Sequence, residues 1–253
     1  MSMLLTIDLG NTCIKLGLFE DEKEVSFALE DTKQKDYKRL LKSFLKNNKT
    51  DVKDVEDVII SSVVPVVKKK LLKAIEEIFN KKAIEIDVTK NYGITVDIDN
   101  PLEIGEDLLV MCAYGYNLYK RDLIVCSLGT CSVFCSVFNP GSLRYAIIAP
   151  GFKKMAESLY TGAAQLSQFE MEKRDSLLAS NTKDAMNVGF FSGYLGLVDY
   201  FVSGLKKELN KDMFVIGCGG DVRLVEPYTD IFDYSDTDFV TKGLNYIYHH
   251  YYE

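Results

Sequence analysis

Five residues able to handle a phosphate group stand close together near the start of the chain: Asp8, Gly10, Asn11, Thr12 and Lys15, in the string LLTIDLGNTCIKLG. An apolar run ends in Asp8, turns through Gly10-Asn11-Thr12 and re-enters apolar residues around Lys15. That pattern predicts a strand, a tight turn and a second strand. A carboxylate at a strand end can hold a hydrated divalent metal ion. Gly10 permits close backbone approach, Asn11 and Thr12 can offer donors, and Lys15 is a point charge suited to phosphate oxygens. Together they suit the phosphate tail of a nucleotide. The same string could also be an ordinary hairpin with a polar tip, although a lysine inside a strand is awkward unless it faces a cleft or an open edge.

The elements that must position this turn follow in alternation. Residues 24–29 read as a third strand. Residues 33–48 place Tyr37, Leu40, Leu41, Phe44 and Leu45 at helical spacing. Residues 46–57 read as a charged loop and 58–64 as a buried, β-branched strand. Pro65 suits a helix start, 66–79 continue with helical spacing, and Lys68, Lys69 and Lys70 read as a solvated face. Residues 83–88 form another strand. Three strands, helix, strand, helix, strand is an α/β layer with a mixed sheet. Residues 92–101 are irregular and carry the boundary between halves. Helix 104–119 follows, with Gly105-Glu106-Asp107 in its first turn, then strands at 122–126, 131–138 and 143–148. Pro150-Gly151 opens a helix towards Tyr160. Residues 181–209 read as one long helix, with Gly189, Gly193 and Gly196 as close-packing points or kinks. A strand at 213–216 leads into Gly217-Cys218-Gly219-Gly220-Asp221, and a final helix runs from Asp236 to Tyr252.

Composition narrows the function classes. A chain of 253 residues suits one large domain or two small ones, and 47% hydrophobic residues suffice for a core. The net charge of −7 argues against a nucleic-acid or anionic-membrane partner. No signal peptide is visible and no apolar stretch reads as long enough to span a membrane, so the expected location is cytoplasmic. None of the six cysteines forms a C-x-x-C, and the two histidines, His249 and His250, lie at the far C-terminus, which argues against structural zinc and a Cys–His nucleophile. The cysteines, Cys131 and Cys135 among them, read as reduced, buried, small apolar residues. Tyr246, Tyr248, Tyr251 and Tyr252 read as packing or subunit contacts.

The chain also echoes itself. Ile7-Asp8-Leu9-Gly10-Asn11-Thr12-Cys13 and Cys126-Ser127-Leu128-Gly129-Thr130-Cys131 are both strand–Gly–Thr–strand turns, each opening a run of three strands followed by helices. The expectation is an α/β protein of two related halves, residues 1–98 and 99–253. Each is a mixed sheet flanked by helices, and the two turns line a cleft between the halves.

With these residues in place, the chain resembles the type III pantothenate kinases, of the superfamily of sugar kinases, actin and heat-shock chaperone ATPases. The likeness runs from Asp8 to Gly243. The string D-x-G-N-T-x-x-K-x-G is met in full by Asp8, Gly10, Asn11, Thr12, Lys15 and Gly17. Ser61-Ser62-Val63-Val64-Pro65, Tyr92-Gly93, Gly105-x-Asp107, Pro150-Gly151, Asn181-Thr182, Gly219-Gly220-Asp221 and Lys242-Gly243-Leu244 follow in order. The resemblance implies two ribonuclease-H-like halves and transfer of the γ-phosphate of ATP to pantothenate, the first step towards coenzyme A. It implies that Asp8 helps hold Mg²⁺, that Gly10, Asn11, Thr12 and Lys15 cradle the phosphates, and that Asp107 accepts the proton of the attacking hydroxyl. Tyr92, Gly105 and Thr182 would lie along the pantothenate, Gly129-Thr130 would be the second phosphate turn, and Gly219-Gly220 would approach the nucleotide. It further implies a monovalent cation, K⁺ or NH₄⁺, and a homodimer.

The chain departs from the family at defined points. Leu108 follows Asp107 where an arginine is usual, which removes a cation and its donors. Ser127 stands where a carboxylate usually serves the monovalent cation, and Cys131 replaces an alanine. Tyr145-Ala146 replaces a pair of glycines. These departures keep two other functions open: a catalytically degenerate nucleotide-binding regulator or assembly protein, and a kinase of another small hydroxyl compound. The residues themselves admit plainer roles as well. Asp107 could be a first-turn carboxylate favoured by the helix dipole, Asn181 or Thr182 an N-cap, and Gly219-Gly220 a strand-to-helix turn.

Overall fold

The structure, a computed structural model, describes residues 2–162 and 172–252. Along the chain run β1 (Met3–Leu9), β2 (Cys13–Glu20), β3 (Lys23–Asp31), α1 (Tyr37–Asn47), β4 (Val55–Ser62), α2 (Pro65–Phe79), β5 (Ile84–Glu85), β6 (Thr95–Val96) and α3 (Glu106–Tyr119). Then come β7 (Leu123–Leu128), β8 (Cys131–Phe138), β9 (Ser142–Pro150), α4 (Phe152–Gly162), α5 (Thr182–Asn187), α6 (Gly193–Leu209), β10 (Phe214–Cys218), α7 (Val222–Val225), β11 (Tyr234–Asp236) and α8 (Phe239–Tyr251). The expected alternation of strands and helices is present. Residues 83–88 shrink to the short β5, and Asp236 closes β11 instead of opening the last helix.

Two mixed sheets carry these elements. The first runs β3-β2-β1-β4-β5, with β1 antiparallel to β2 and parallel to β4. In the second, β9-β8-β7-β10-β11 repeats the same order, with β7 antiparallel to β8 and parallel to β10. The echo between the two Gly–Thr turns is therefore matched by an echo of topology. The β1–β2 turn closes with Gly10 N–H donating to the Cys13 carbonyl at 3.0 Å, and the β7–β8 turn with Gly129 N–H donating to the Cys131 carbonyl at 3.0 Å.

One compact unit takes Met1–Lys120, Pro140–Leu143 and Asp238–Glu253; the other takes Arg121–Asn139 and Arg144–Thr237. In the first unit, Leu5, Ile7 and Leu9 on β1 point to one face and build a core with Leu41, Phe44, Leu71 and Ile75 of α1 and α2. Strand alternation then sends Leu4, Thr6 and Asp8 to the opposite face. α8 covers that face where Gly17 allows it: a Cβ there would lie 2.5 Å from Thr6 Oγ1 and 3.0 Å from Thr241 Cβ. Gly243 likewise lets α8 press against α3, since a Cβ would meet Val110 Cγ1 at 2.7 Å. The C-terminal tyrosines are packing residues: Tyr92 meets Tyr251 edge-on, and Tyr248 donates to Asp57.

In the second unit, β7, β8 and β10 pack Ile124, Cys126, Phe134 and Val215 against Phe191, Tyr194, Val198 and Val202. The long helix 182–209 is interrupted by a π-helical turn, Val188–Ser192. Among the described residues, and leaving aside the helix's own backbone, nothing lies within 4 Å of a Cβ placed at Gly189, Gly193 or Gly196, and the π turn is the irregularity in the helix. By length and composition Thr182–Leu209 would suffice to cross a membrane, contrary to the sequence expectation, although it places Tyr194, Val198 and Val202 in this core. Cys112, Cys126, Cys135 and Cys218 are buried as expected; Cys13 is half-buried, and Cys131, the first residue of β8, is exposed.

Candidate active site

Strand register alone assembles the first part of the site. Asp8 lies directly opposite Lys15 across the β1–β2 pair and directly opposite Ser61 across the β1–β4 pair. Residues opposite one another in adjacent strands share a face, so all three side chains stand in one row. Lys15 Nζ reaches Asp8 Oδ2 at 2.9 Å, and Ser61 Oγ donates to Asp8 Oδ1 at 2.8 Å. Asp8 is only 3% exposed, while the Lys15 side chain keeps 20% of its surface open. Asn11 and Thr12 are exposed at the turn, which Thr32 braces through its N–H to the Thr12 carbonyl and its hydroxyl to the Gly10 carbonyl.

α3 adds the second carboxylate. Gly105 is its N-cap and Asp107 lies in its first turn. A Cβ at Gly105 would sit 2.5 Å from Asp107 Oδ1, so the glycine of the G-x-D string makes room for the carboxylate it precedes. Burial raises the Asp107 carboxyl from 3.8 to about 6, and the negative charge of Asp8 adds to the rise. The Leu108 N–H, which donates to Asp107 Oδ1 at 2.9 Å, and the Lys15 ammonium pull the other way. Asp8, Lys15 and Asp107 therefore act on one another electrostatically, as expected of groups serving one site.

Three neighbours of this cluster carry no role in the sequence reading. Ser61 orients Asp8. Glu106 accepts from the Ser62 N–H at 2.8 Å and from Lys68 Nζ at 2.9 Å, and Lys68 also pairs with Glu85 at 2.9 Å. Lys68 is thus not on the solvated face expected of it; burial alone would depress its ammonium, but the bonds it donates to Glu106 and Glu85 hold it above its ordinary value. Only Lys69 and Lys70 are exposed.

In the second unit, three loops meet at the β7–β8 turn. A Cβ on Gly151 would lie 1.8 Å from the Gly129 carbonyl oxygen, and one on Gly219 would lie 2.3 Å from that of Leu128. Gly219 also has φ +89°, a conformation natural to glycine. Gly151 N–H donates to the Thr130 carbonyl, and Asp221 N–H to the Leu128 carbonyl at 3.0 Å. Gly129, Thr130 and Gly219 are thereby brought together, with the exposed Gly220 next in the chain. Asp221 is buried; that burial raises its carboxyl and the charge of Lys153 offsets part of the rise. Ser127 is half-buried on β7, and Tyr145 is exposed on β9, its ring edge-on to Phe138.

Tyr92 is fully buried; its hydroxyl accepts from the Asp87 N–H at 3.1 Å and bonds the Tyr252 hydroxyl at 2.7 Å. Burial and Tyr252 raise its phenol well above the ordinary range. Its carbonyl accepts from Asn117, three turns along α3 from Asp107, or about 15 Å at 1.5 Å per residue. Thr182 is exposed at the first position of α5, and Asn181 is the N-cap, accepting from the Asp184 N–H at 2.9 Å.

A Mg²⁺ ion fits the donor set of the first unit. Mg²⁺ commonly keeps several waters and binds through one or two carboxylates plus substrate phosphates. Asp8 is such a carboxylate, and each of its oxygens retains a lone pair beyond the bond it accepts. Among the described residues no group of three or more His, Cys, Asp or Glu could form an all-protein cage.

Comparison with known proteins agrees with this fold and string. A family model described as type III pantothenate kinase matches residues 4–204. Among solved structures, a protein described as a Baf family transcriptional activator from Campylobacter jejuni superposes with TM-score 0.61 at 17% identity, over 97% of each chain. Component A of the (R)-2-hydroxyglutaryl-CoA dehydratase of Acidaminococcus fermentans gives 0.57 at 13%, over 98% of this chain and 96% of that one. The activator of the 2-hydroxyisocaproyl-CoA dehydratase from Clostridium difficile, solved with bound ADPNP, gives 0.55 at 15%, over 96% and 93%. At these identities the structures speak for the fold alone.

Proposed function

This chain belongs to the type III pantothenate kinase family, and from that premise we propose that it transfers the γ-phosphate of ATP to the primary hydroxyl of pantothenate, giving 4′-phosphopantothenate. One observation carries the reading: the Asp107 carboxylate stands within the electrostatic reach of Asp8 and Lys15, on the first turn of a helix whose N-cap is shaped to admit it. Phosphoryl transfer asks chiefly for positioning and charge neutralisation. Lys15 supplies a fixed cation, and the Gly10-Asn11-Thr12 turn supplies backbone and side-chain donors for phosphate oxygens. Asp8 would hold Mg²⁺, which neutralises phosphate charge when bound. Asp107, titrating at about 6, is ionised at pH 7 and basic enough to take the hydroxyl proton. Gly129, Thr130, Gly219 and Gly220 are assigned to the nucleotide, Gly105 and Thr182 to the pantothenate. A monovalent cation near Ser127, a homodimer and a cytoplasmic location complete the reading. Tyr92 is retained in it as a support for the C-terminal helix.

Leu108, Ser127 and Tyr145-Ala146 favour a second reading, a nucleotide-binding protein of the same family without turnover. One experiment separates them. The protein is incubated with Mg-ATP and pantothenate while K⁺ and NH₄⁺ are varied, and 4′-phosphopantothenate is measured by mass spectrometry. Cation-stimulated product formation that Asp107→Asn abolishes is expected. Nucleotide binding with no product would establish the second reading, and turnover surviving Asp107→Asn would remove Asp107 as the base.

A further inference from the structure

Asp8 and Asp107 come from elements far apart in sequence, and no direct hydrogen bond joins the two side chains among the described residues. Something else must set their spacing. The end of β4 touches the elements bearing both. Ser61 Oγ donates to Asp8 Oδ1 at 2.8 Å, and the next residue, Ser62, donates its backbone N–H to Glu106 Oε2 at 2.8 Å. Glu106 is the chain neighbour of Asp107 and the first residue of α3. Its other oxygen is held by Lys68 from α2 at 2.9 Å, and Lys68 is itself steadied by Glu85 of β5. The ion pair is mostly shielded, with side-chain exposures of 15% for Lys68 and 18% for Glu106, so it is stronger than a solvent-exposed pair. A first-turn glutamate placed merely to suit the helix dipole would need no partner outside its own helix.

We propose that Ser61-Ser62 is a clamp that sets the distance between the two acidic groups of the site: Ser61 fixes Asp8 directly, and Ser62 fixes the first turn of α3 through Glu106, which Lys68 locks in place. Glu106 and Lys68 are positioning residues; neither is assigned to substrate or nucleotide. The inference deepens the kinase reading and rests on it for its kinetic consequence, but the clamp itself is a statement about hydrogen bonds that holds with or without turnover.

The test compares Glu106→Ala, Glu106→Gln and Lys68→Met in the full-length protein. Glutamine keeps an acceptor for the Ser62 N–H, while alanine keeps none. Misplacing a catalytic group by an ångström costs on the order of 100-fold. Glu106→Ala should therefore lower kcat by about 10–100-fold with KM for Mg-ATP and pantothenate within about twofold, and Glu106→Gln, which keeps an acceptor for the Ser62 N–H but loses the one for Lys68, should recover part of the loss. In parallel, amide hydrogen exchange read at Ser62 should speed up in Glu106→Ala and stay protected in Glu106→Gln. A kcat within about twofold of the unmodified protein in Glu106→Ala, or a loss confined to KM, would overturn the positioning role. Should alanine prevent folding, Lys68→Met makes the same comparison, with a smaller drop in kcat at constant KM expected and an unchanged kcat overturning the lock. If the unmodified protein makes no product, the kinase reading falls, and the exchange measurement still decides the clamp: unchanged Ser62 protection in Glu106→Ala overturns it.

Discussion

Replacing Asp107 by asparagine should stabilise this protein at neutral pH while removing its activity. The Asp107 carboxyl is raised from 3.8 to about 6 by burial and by the Asp8 charge, so between those values the folded chain holds a proton that the unfolded chain has released. A group of this kind contributes its full stability below pH 4 and loses it as pH climbs through 6. At about 1.4 kcal/mol per pH unit, the rise corresponds to roughly 3 kcal/mol given up by pH 7. Asparagine never ionises, keeps an oxygen for the Leu108 N–H, and forfeits only the attraction to Lys15. The net gain at pH 7.5 should be about 1–3 kcal/mol, shrinking to nothing near pH 4. For a chain of this size that is roughly 2–4 °C of melting temperature per kcal/mol. The assay is urea unfolding of both proteins between pH 4 and 7.5 in EDTA, because a cation beside Asp8 would itself favour the ionised acid. The stability difference should grow with pH and level off above about 6. A flat difference, or an asparagine variant less stable at pH 7.5, would refute the burial of Asp107 within reach of the Asp8 charge. The same titration should form the acid limb of kcat/KM, since the base must be ionised to act.

Gly105→Ala places a Cβ 2.5 Å from Asp107 Oδ1, so the carboxylate must swing away; kcat should fall by tenfold or more while the melting temperature changes little, measured by steady-state kinetics beside thermal melts. Gly151→Ala would bring a Cβ to 1.8 Å from the Gly129 carbonyl oxygen, backbone that cannot rotate aside, and should cost about 1–3 kcal/mol in urea unfolding together with nucleotide affinity by calorimetry. Tyr92→Phe removes a buried hydroxyl bonded to the Asp87 N–H and to Tyr252; about 1–3 kcal/mol of stability should go while KM for pantothenate holds. A large rise in that KM would return Tyr92 to the substrate.

How much of this was legible in the sequence depended on how far apart the partners lie. Asp8 and Lys15 belong to one hairpin, and a tight turn between strands sets their register, so the string D-x-G-N-T-x-x-K already implies that the two side chains share a face. The apolar stripe of α1 was equally plain, because Tyr37, Leu40, Leu41, Phe44 and Leu45 repeat at helical spacing and all five are buried. The two Gly–Thr turns announced a repeated topology for the same local reason. Lys68 was misread because helical spacing reports an apolar face and says nothing of which polar residues meet a partner. Its partners, Glu85 and Glu106, come from other elements. That Tyr251 and Tyr252 fold back upon Tyr92 is likewise not visible in a Tyr-Gly string, because those partners lie some 160 residues further along the chain.

From its own amino acids, then, the chain determined its strands, its helices, its two turns and the acid–lysine pair of the first hairpin, since each depends on neighbours a few residues away. Tertiary structure decided the rest. Asp107 is raised because tertiary packing buries it and brings Asp8, roughly a hundred residues away in sequence, within electrostatic reach. Ser61 and Glu106 acquire their tasks only because the parallel pairing of β1 and β4 brings the end of one strand beside the other and beneath the first turn of α3. Burial and charge at a point in space depend on everything that converges there, and convergence over such separations is not written in any local pattern.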